Sequence, residues 1–149
     1  MKRNDLRKMI REEIARAKGK NGRKLVESRG KFDFKTAMNG YYQALLFAPS
    51  DSDLEDYDDY SISDISSSSK KTAMQEMKMF IKMVGSDLVS EYVSEYGSEQ
   101  FGMDFWFTRN GHGTGFFERN DEIDAIYEKN WRKFSTVYTY IEDGEVNTQ

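Results

Sequence analysis

Residues 104–119, "DFWFTRNGHGTGFFER", hold the chain's one histidine, one of its two tryptophans, three of its eleven glycines and four of its ten phenylalanines. How this stretch folds decides the architecture. Asn110-Gly111 is a dipeptide favoured where both central residues of a tight turn need positive φ, so residues 104–118 are expected as two antiparallel strands around it. In that register Arg109 faces His112, Phe107 faces Thr114, Trp106 faces Gly115 and Phe105 faces Phe116. Trp106 and Thr108 then share a face with the strand glycines, where an indole can lie over a residue without a side chain. The opposite face turns Phe105, Phe107 and Phe116 toward the core and leaves Arg109 and His112 at a polar tip. A turn centred on Gly111-His112 would exchange the two faces.

Outward from this stretch the chain reads mainly as helices. Upstream, "FKTAMNGYYQALLFA" puts Phe34, Met38, Tyr41, Leu45 and Ala48 on one helical face, and Pro49, the only proline, turns Ala48 away from helical geometry. Ser50–Ser69 has seven acids and no base, the composition of a surface loop. A calcium loop begun at Asp51 would need glycine sixth and glutamate twelfth, and Asp56 and Ile62 stand there instead. Met74, Met77, Ile81, Val84 and Leu88 then step by three and four, with Ala73 and Phe80 alongside, and this methionine-rich face is read as core. Gly85 permits a break before a shorter helix that ends at Gly97.

Downstream, Asn120 caps a helix whose first turn carries Asp121, Glu122 and Asp124. Ile123, Ile126, Tyr127, Asn130 or Trp131, and Phe134 are expected on its buried side. Residues 136–142 are rich in β-branched and aromatic residues and lead to an Asp143-Gly144 turn with a short return. The expected fold is α+β: three or four helices on one side of a small antiparallel sheet made of the 104–118 hairpin and the 136–142 strand. Residues 34–149 form one such domain.

The net charge of -4 conceals a division. Residues 1–24 carry ten Lys/Arg against three acids, a charge of +7, so the remainder carries -11. Leu6, Met9, Ile10 and Ile14 form a narrow apolar stripe there, which makes residues 1–24 a basic amphipathic helical arm. Lys2, Arg3, Arg7, Lys8 and Arg11 offer contacts to nucleic acid or to another partner. The bland alternative is that the arm docks on the acidic body, its own or a neighbour's. No apolar run reaches the roughly 20 residues of a membrane helix, and the N-terminus lacks the apolar core of a secretory signal. Without cysteine, disulfides, thiolate zinc sites and thiol nucleophiles are excluded.

The 104–119 motif, the "ALLFAPSDSD" helix end, the acidic "YDDYSISDIS" loop and the terminal aromatic strand together resemble a family of small, functionally unassigned bacteriophage proteins with a motif like "DFWLTRNGHGAGFW". The likeness runs from about Ala37 to Val146. It implies a phage origin, with the host cytoplasm or the virion interior as the place of action, and no activity to carry over. Relatives often place a histidine just before "DFW"; this chain has Met103, so a histidine pair for metal is missing.

Catalysis finds little support in these residues. Histidine as a residue type suits acid-base chemistry, but Asp104 and Glu118 fall at the far end of the expected strands from His112, and no nucleophile elbow, phosphate loop or ligand spacing accompanies them. The expectation is a non-enzymatic phage accessory protein without metal or cofactor. It would bind an unidentified protein or other macromolecule through a hairpin tip made of Trp106, Arg109, Asn110 and His112. Two alternatives rest on the arm. One is nonspecific nucleic-acid binding; the other is packaging into the virion by a capsid-targeting helix, since Ile10-Arg11-Glu12 is similar to a prohead-protease cleavage site.

Overall fold

A computed structural model of the protein describes residues 31–49 and 59–149. The basic arm and most of the acidic loop lie outside the described residues. The described chain is α+β, with most of its residues helical. Its helices are α1 (Phe34–Phe47), α2 (Ser67–Val84), α3 (Ser86–Tyr96), α4 (Ser98–Asn110) and α5 (Asp121–Asn130), followed by strands β1 (Thr139–Glu142) and β2 (Glu145–Thr148). None of these helices is long and apolar enough to cross a membrane.

The expected hairpin over 104–118 does not form. Residues 104–110 complete α4, Gly111 closes it in the left-handed region (φ 63, ψ 40), and Phe116–Glu118 make a 3-10 turn. Asn-Gly serves a helix end as well as a hairpin, because the residue after a helix often needs positive φ. The choice is made by burial. Phe101, Phe105, Trp106, Phe107, Asp104 and Arg109 point in different directions around α4, yet all are buried. A helix enclosed on every side has no polar face, so it carries no amphipathic period by which to recognise it.

α1 and α4 run side by side with their backbones almost touching. A Cβ on Gly102 would fall on the carbonyl oxygen of Ala37, and one on Gly40 would fall on that of Glu99. Only glycine permits this approach. The pair is tied at both ends: Asp33 N donates to Ser98 Oγ (2.9 Å), and Trp106 Nε1 donates to the Ala48 carbonyl (2.9 Å).

Single glycines separate the next helices, as the sequence suggests. Gly85 (φ 90) lies between α2 and α3, and Gly97 (φ 88) lies between α3 and α4. From α2, Ala73, Met77, Phe80 and Val84 enter the core, with Met74 and Ile81 at its edge. Phe80 is its centre, stacked on Phe105 at 4.7 Å and edge-on to Phe134 at 5.6 Å. Asn120 caps α5 by accepting from Ile123 N (3.0 Å).

The sheet is smaller than expected and is built from the C-terminal segment alone. β1 pairs antiparallel with β2, Tyr140 opposite Asn147 and Ile141 opposite Val146. The turn is the predicted Asp143-Gly144, both at positive φ (52 and 77). Val146 is fully buried, Ser66 N donates to its carbonyl (2.9 Å), and Thr148 N donates to Ser69 Oγ (2.9 Å). The hairpin is thus fastened to the first turn of α2.

Candidate functional site

Placing the motif on a buried helix changes what its polar residues do. Asp104 is fully buried and accepts from Arg119 Nε and Nη2 (both 2.7 Å), Gln100 Nε2 (3.0 Å) and the Tyr92 hydroxyl. Arg119 also reaches Thr114 Oγ1 at 3.4 Å. Both carboxylate oxygens are engaged by a guanidinium fork, the strongest geometry for such a pair. Burial, then the Asp104 charge and hydrogen bond, push the Tyr92 phenol well above its ordinary range. Burial opposes the charge on Arg119, but its bonds to Asp104 outweigh that and hold the guanidinium protonated. Both Asp104 oxygens and the Nε and Nη2 of Arg119 are spent inside the molecule.

Arg109 is one turn and a half further along α4. It is 5 % exposed, so it is no surface cation. Its Nη2 donates to Glu76 Oε2 (2.6 Å), its Nη1 to the Tyr41 hydroxyl (3.2 Å), and its Nε and Nη2 to the Ser135 carbonyl (3.3 and 3.0 Å). The guanidinium also lies 5.3 Å over the Phe105 ring. Asn110 Nδ2 donates to the Trp106 carbonyl (3.0 Å), while its Oδ1 accepts from Val137 N (2.9 Å). His112 is half-buried, parallel to the Trp106 ring at 6.5 Å and edge-on to Phe107.

The expected contact surface is therefore corrected. Trp106 and Arg109 are interior, and Asn110 and His112 are partly buried against the same helix, because the chain ends a helix here instead of turning a hairpin. Lys2, Arg3, Arg7, Lys8 and Arg11 lie outside the described residues.

What the buried residues hold is residues 134–137. The Tyr127 hydroxyl donates to the Phe134 carbonyl (3.0 Å), Arg109 grips Ser135, and Asn110 grips Val137. The surface so positioned escapes the sequence reading. Four described aromatic side chains are exposed, and three of them, Trp131 (54 %), Tyr138 (61 %) and Tyr140, lie within ten residues of one another. Trp131 was expected on the buried side of α5, but α5 ends at Asn130 and a 3-10 turn over Trp131–Lys133 rotates the indole outward. Residues 129–141 contain Lys129, Arg132 and Lys133 and no acid, a signal the sequence did offer.

Two predictions arise here. Asn110→Ala leaves the Val137 amide without its acceptor, which costs about 1–3 kcal/mol for a buried donor. Hydrogen exchange should quicken at Val137 more than at core amides of α4; unchanged protection at Val137 contradicts the grip.

The second concerns alkali. Burial pushes Tyr127 and Tyr42 up to about 12 and raises Tyr41 as well as Tyr92. Unfolded tyrosines titrate near pH 10, so between about pH 10 and about pH 12 the unfolded chain gives up phenolic protons that the folded chain keeps. The folded state then binds more protons, and stability must fall as pH rises. The urea midpoint should be steady below about pH 10 and drop through that window. A flat midpoint would mean that these phenols are wet.

Comparison with known protein families, curated proteins and solved structures returned no match.

Proposed function

We propose that this is a non-enzymatic phage accessory protein that binds a macromolecule through the exposed aromatic and basic residues of segment 131–140. The observation carrying this reading is the placement of the aromatics. A chain that encloses most of its described aromatic rings leaves three large ones in water on ten consecutive residues, beside two cations. Leaving Trp and Tyr exposed forgoes about 1.5–3 kcal/mol of burial each, which a contact surface recovers on binding. The phage assignment rests on the resemblance of the 104–119 motif, and the host cytoplasm follows from it.

The segment is also held rigid, which favours binding because less freedom remains to be lost. Arg109, Asn110 and Tyr127 fix its backbone from below, and Tyr138 exchanges both backbone hydrogen bonds with Gln149. The motif residues in this reading are positioning residues for a neighbouring surface. Affinity capture from infected host lysate tests it. The wild-type chain should retain a partner that the Tyr138→Ala/Tyr140→Ala variant loses; identical partner sets would retire the reading.

A further inference from the structure

We infer that the outer face of the β1–β2 hairpin, continued by the Trp131–Lys133 turn, is a stacking platform for single-stranded nucleic acid. This deepens the preceding proposal and rests on it. Tyr138 sits one residue before β1, where its backbone pair with Gln149 extends the ladder, and Tyr140 lies within β1, so both rings project from the same face about 7 Å apart. Across the ladder Tyr138 meets Gln149 and Tyr140 meets Asn147, which gives each ring an amide neighbour on the same face. The buried side of the hairpin is taken up by Val137, Thr139 and Val146, so the tyrosine face is the one turned to solvent. A flat ring beside an amide suits a base: the ring takes the π-face, and the amide can hydrogen-bond the base edge.

Charge selects the partner. The body outside residues 1–24 carries -11, a charge that repels polyanions, but residues 129–141 hold Lys129, Arg132 and Lys133 with no acid among them. The Arg132 guanidinium rests 5.5 Å over the Trp131 ring, so that surface is aromatic and cationic at one point. Lys133 and Tyr138 are five positions apart in the chain, a reach of at most about 18 Å. At the opposite end Glu142, Asp143 and Glu145 crowd the hairpin turn. A strand stacked on the tyrosines is therefore expected to run away from the acidic turn, with Arg132 and Lys133 within that chain reach of Tyr138. A protein partner would use the aromatics but has no need of the Arg132–Lys133 cations in the same segment; a phosphate backbone does.

The test is fluorescence anisotropy of the full chain with a short labelled oligothymidylate, and with oligouridylate to separate DNA from RNA. An Arg7→Gln/Lys8→Gln/Arg11→Gln full-length variant reports the share due to the arm. Tyr138→Ala and Tyr140→Ala should each weaken binding about tenfold, and Tyr→Phe at either site should keep it, since the ring is what stacks. Arg132→Ala/Lys133→Ala should flatten the log–log salt dependence by about 1.4. These surface variants should unfold as wild type does. Tyrosine variants that bind as wild type overturn the platform, as does complete loss of binding in the arm variant alone. If the tyrosine variants lose a captured protein while oligonucleotide binding is unchanged, the contact surface stands and the nucleic-acid partner falls. If neither changes, both fall.

Discussion

Asp104→Ala should destabilise the protein by about 3–5 kcal/mol, read as a lowered urea midpoint with little change in slope. The substitution removes the shared acceptor of Arg119, Gln100 and Tyr92 and strands a guanidinium whose side chain is 16 % exposed. An unpaired buried charge is far costlier than a missing pair. The double variant Asp104→Leu/Arg119→Met should therefore be more stable than Asp104→Ala alone, because it deletes the charge along with its partner. Folded domains hold only about 5–15 kcal/mol in all, so Asp104→Ala is expected to be marginal at physiological temperature. A loss under about 1 kcal/mol would mean that water already reaches the pair.

Gly102→Ala should be comparably harmful, and its sign is the informative part. Helix propensity alone favours alanine over a mid-helix glycine by about 1 kcal/mol. At this crossing the added methyl would meet the Ala37 carbonyl, and backbone cannot swing aside as a side chain can. α1 would have to lift from α4, disturbing the Trp106 bond to Ala48 and the Tyr41 packing against Phe105 and Trp106. The expected loss is about 3 kcal/mol or more, at the upper end for overpacking. Gly40→Ala, facing the Glu99 carbonyl, should act in the same direction. A melting temperature that rises in Gly102→Ala would show that the helices do not touch there.

What the sequence reveals depends on whether an element has two faces. α2, α3 and α5 each turn one side to the core, so the steps from Met77 to Val84 and from Ile123 to Tyr127 are visible as helical periods, and Gly85, Gly97 and Asn120 mark their ends. The Asp143-Gly144 hairpin is legible because its turn needs two positive φ values in succession. α4 is the opposite case. With Asp104, Phe105, Trp106 and Phe107 all enclosed, its sequence alternates no better at one period than another, and the Asn-Gly at its end fits two structures equally well. The exposed aromatics proposed as contact residues are hidden in the sequence for a related reason. Trp131 is in helical phase with Ile123 and Tyr127, and only the switch to a tighter turn after Asn130 takes it out of the core.

The same ambiguity explains why a conspicuous motif reads as a surface. Arginine, asparagine and histidine beside glycines look like an exposed tip, yet Arg109 and Asn110 spend their hydrogen bonds on Glu76, Ser135 and Val137. In the proposed function they act indirectly, through the segment that they hold.

Oxidative footprinting of the two tryptophans in the native protein, resolved by mass spectrometry, tests this inside-out arrangement most directly. Trp131, 54 % exposed, should be modified rapidly, together with Tyr138, while Trp106 at 0 % should stay intact until the protein is unfolded. Oxidation of Trp106 at the rate of Trp131 would put the motif back on the surface and contradict the account.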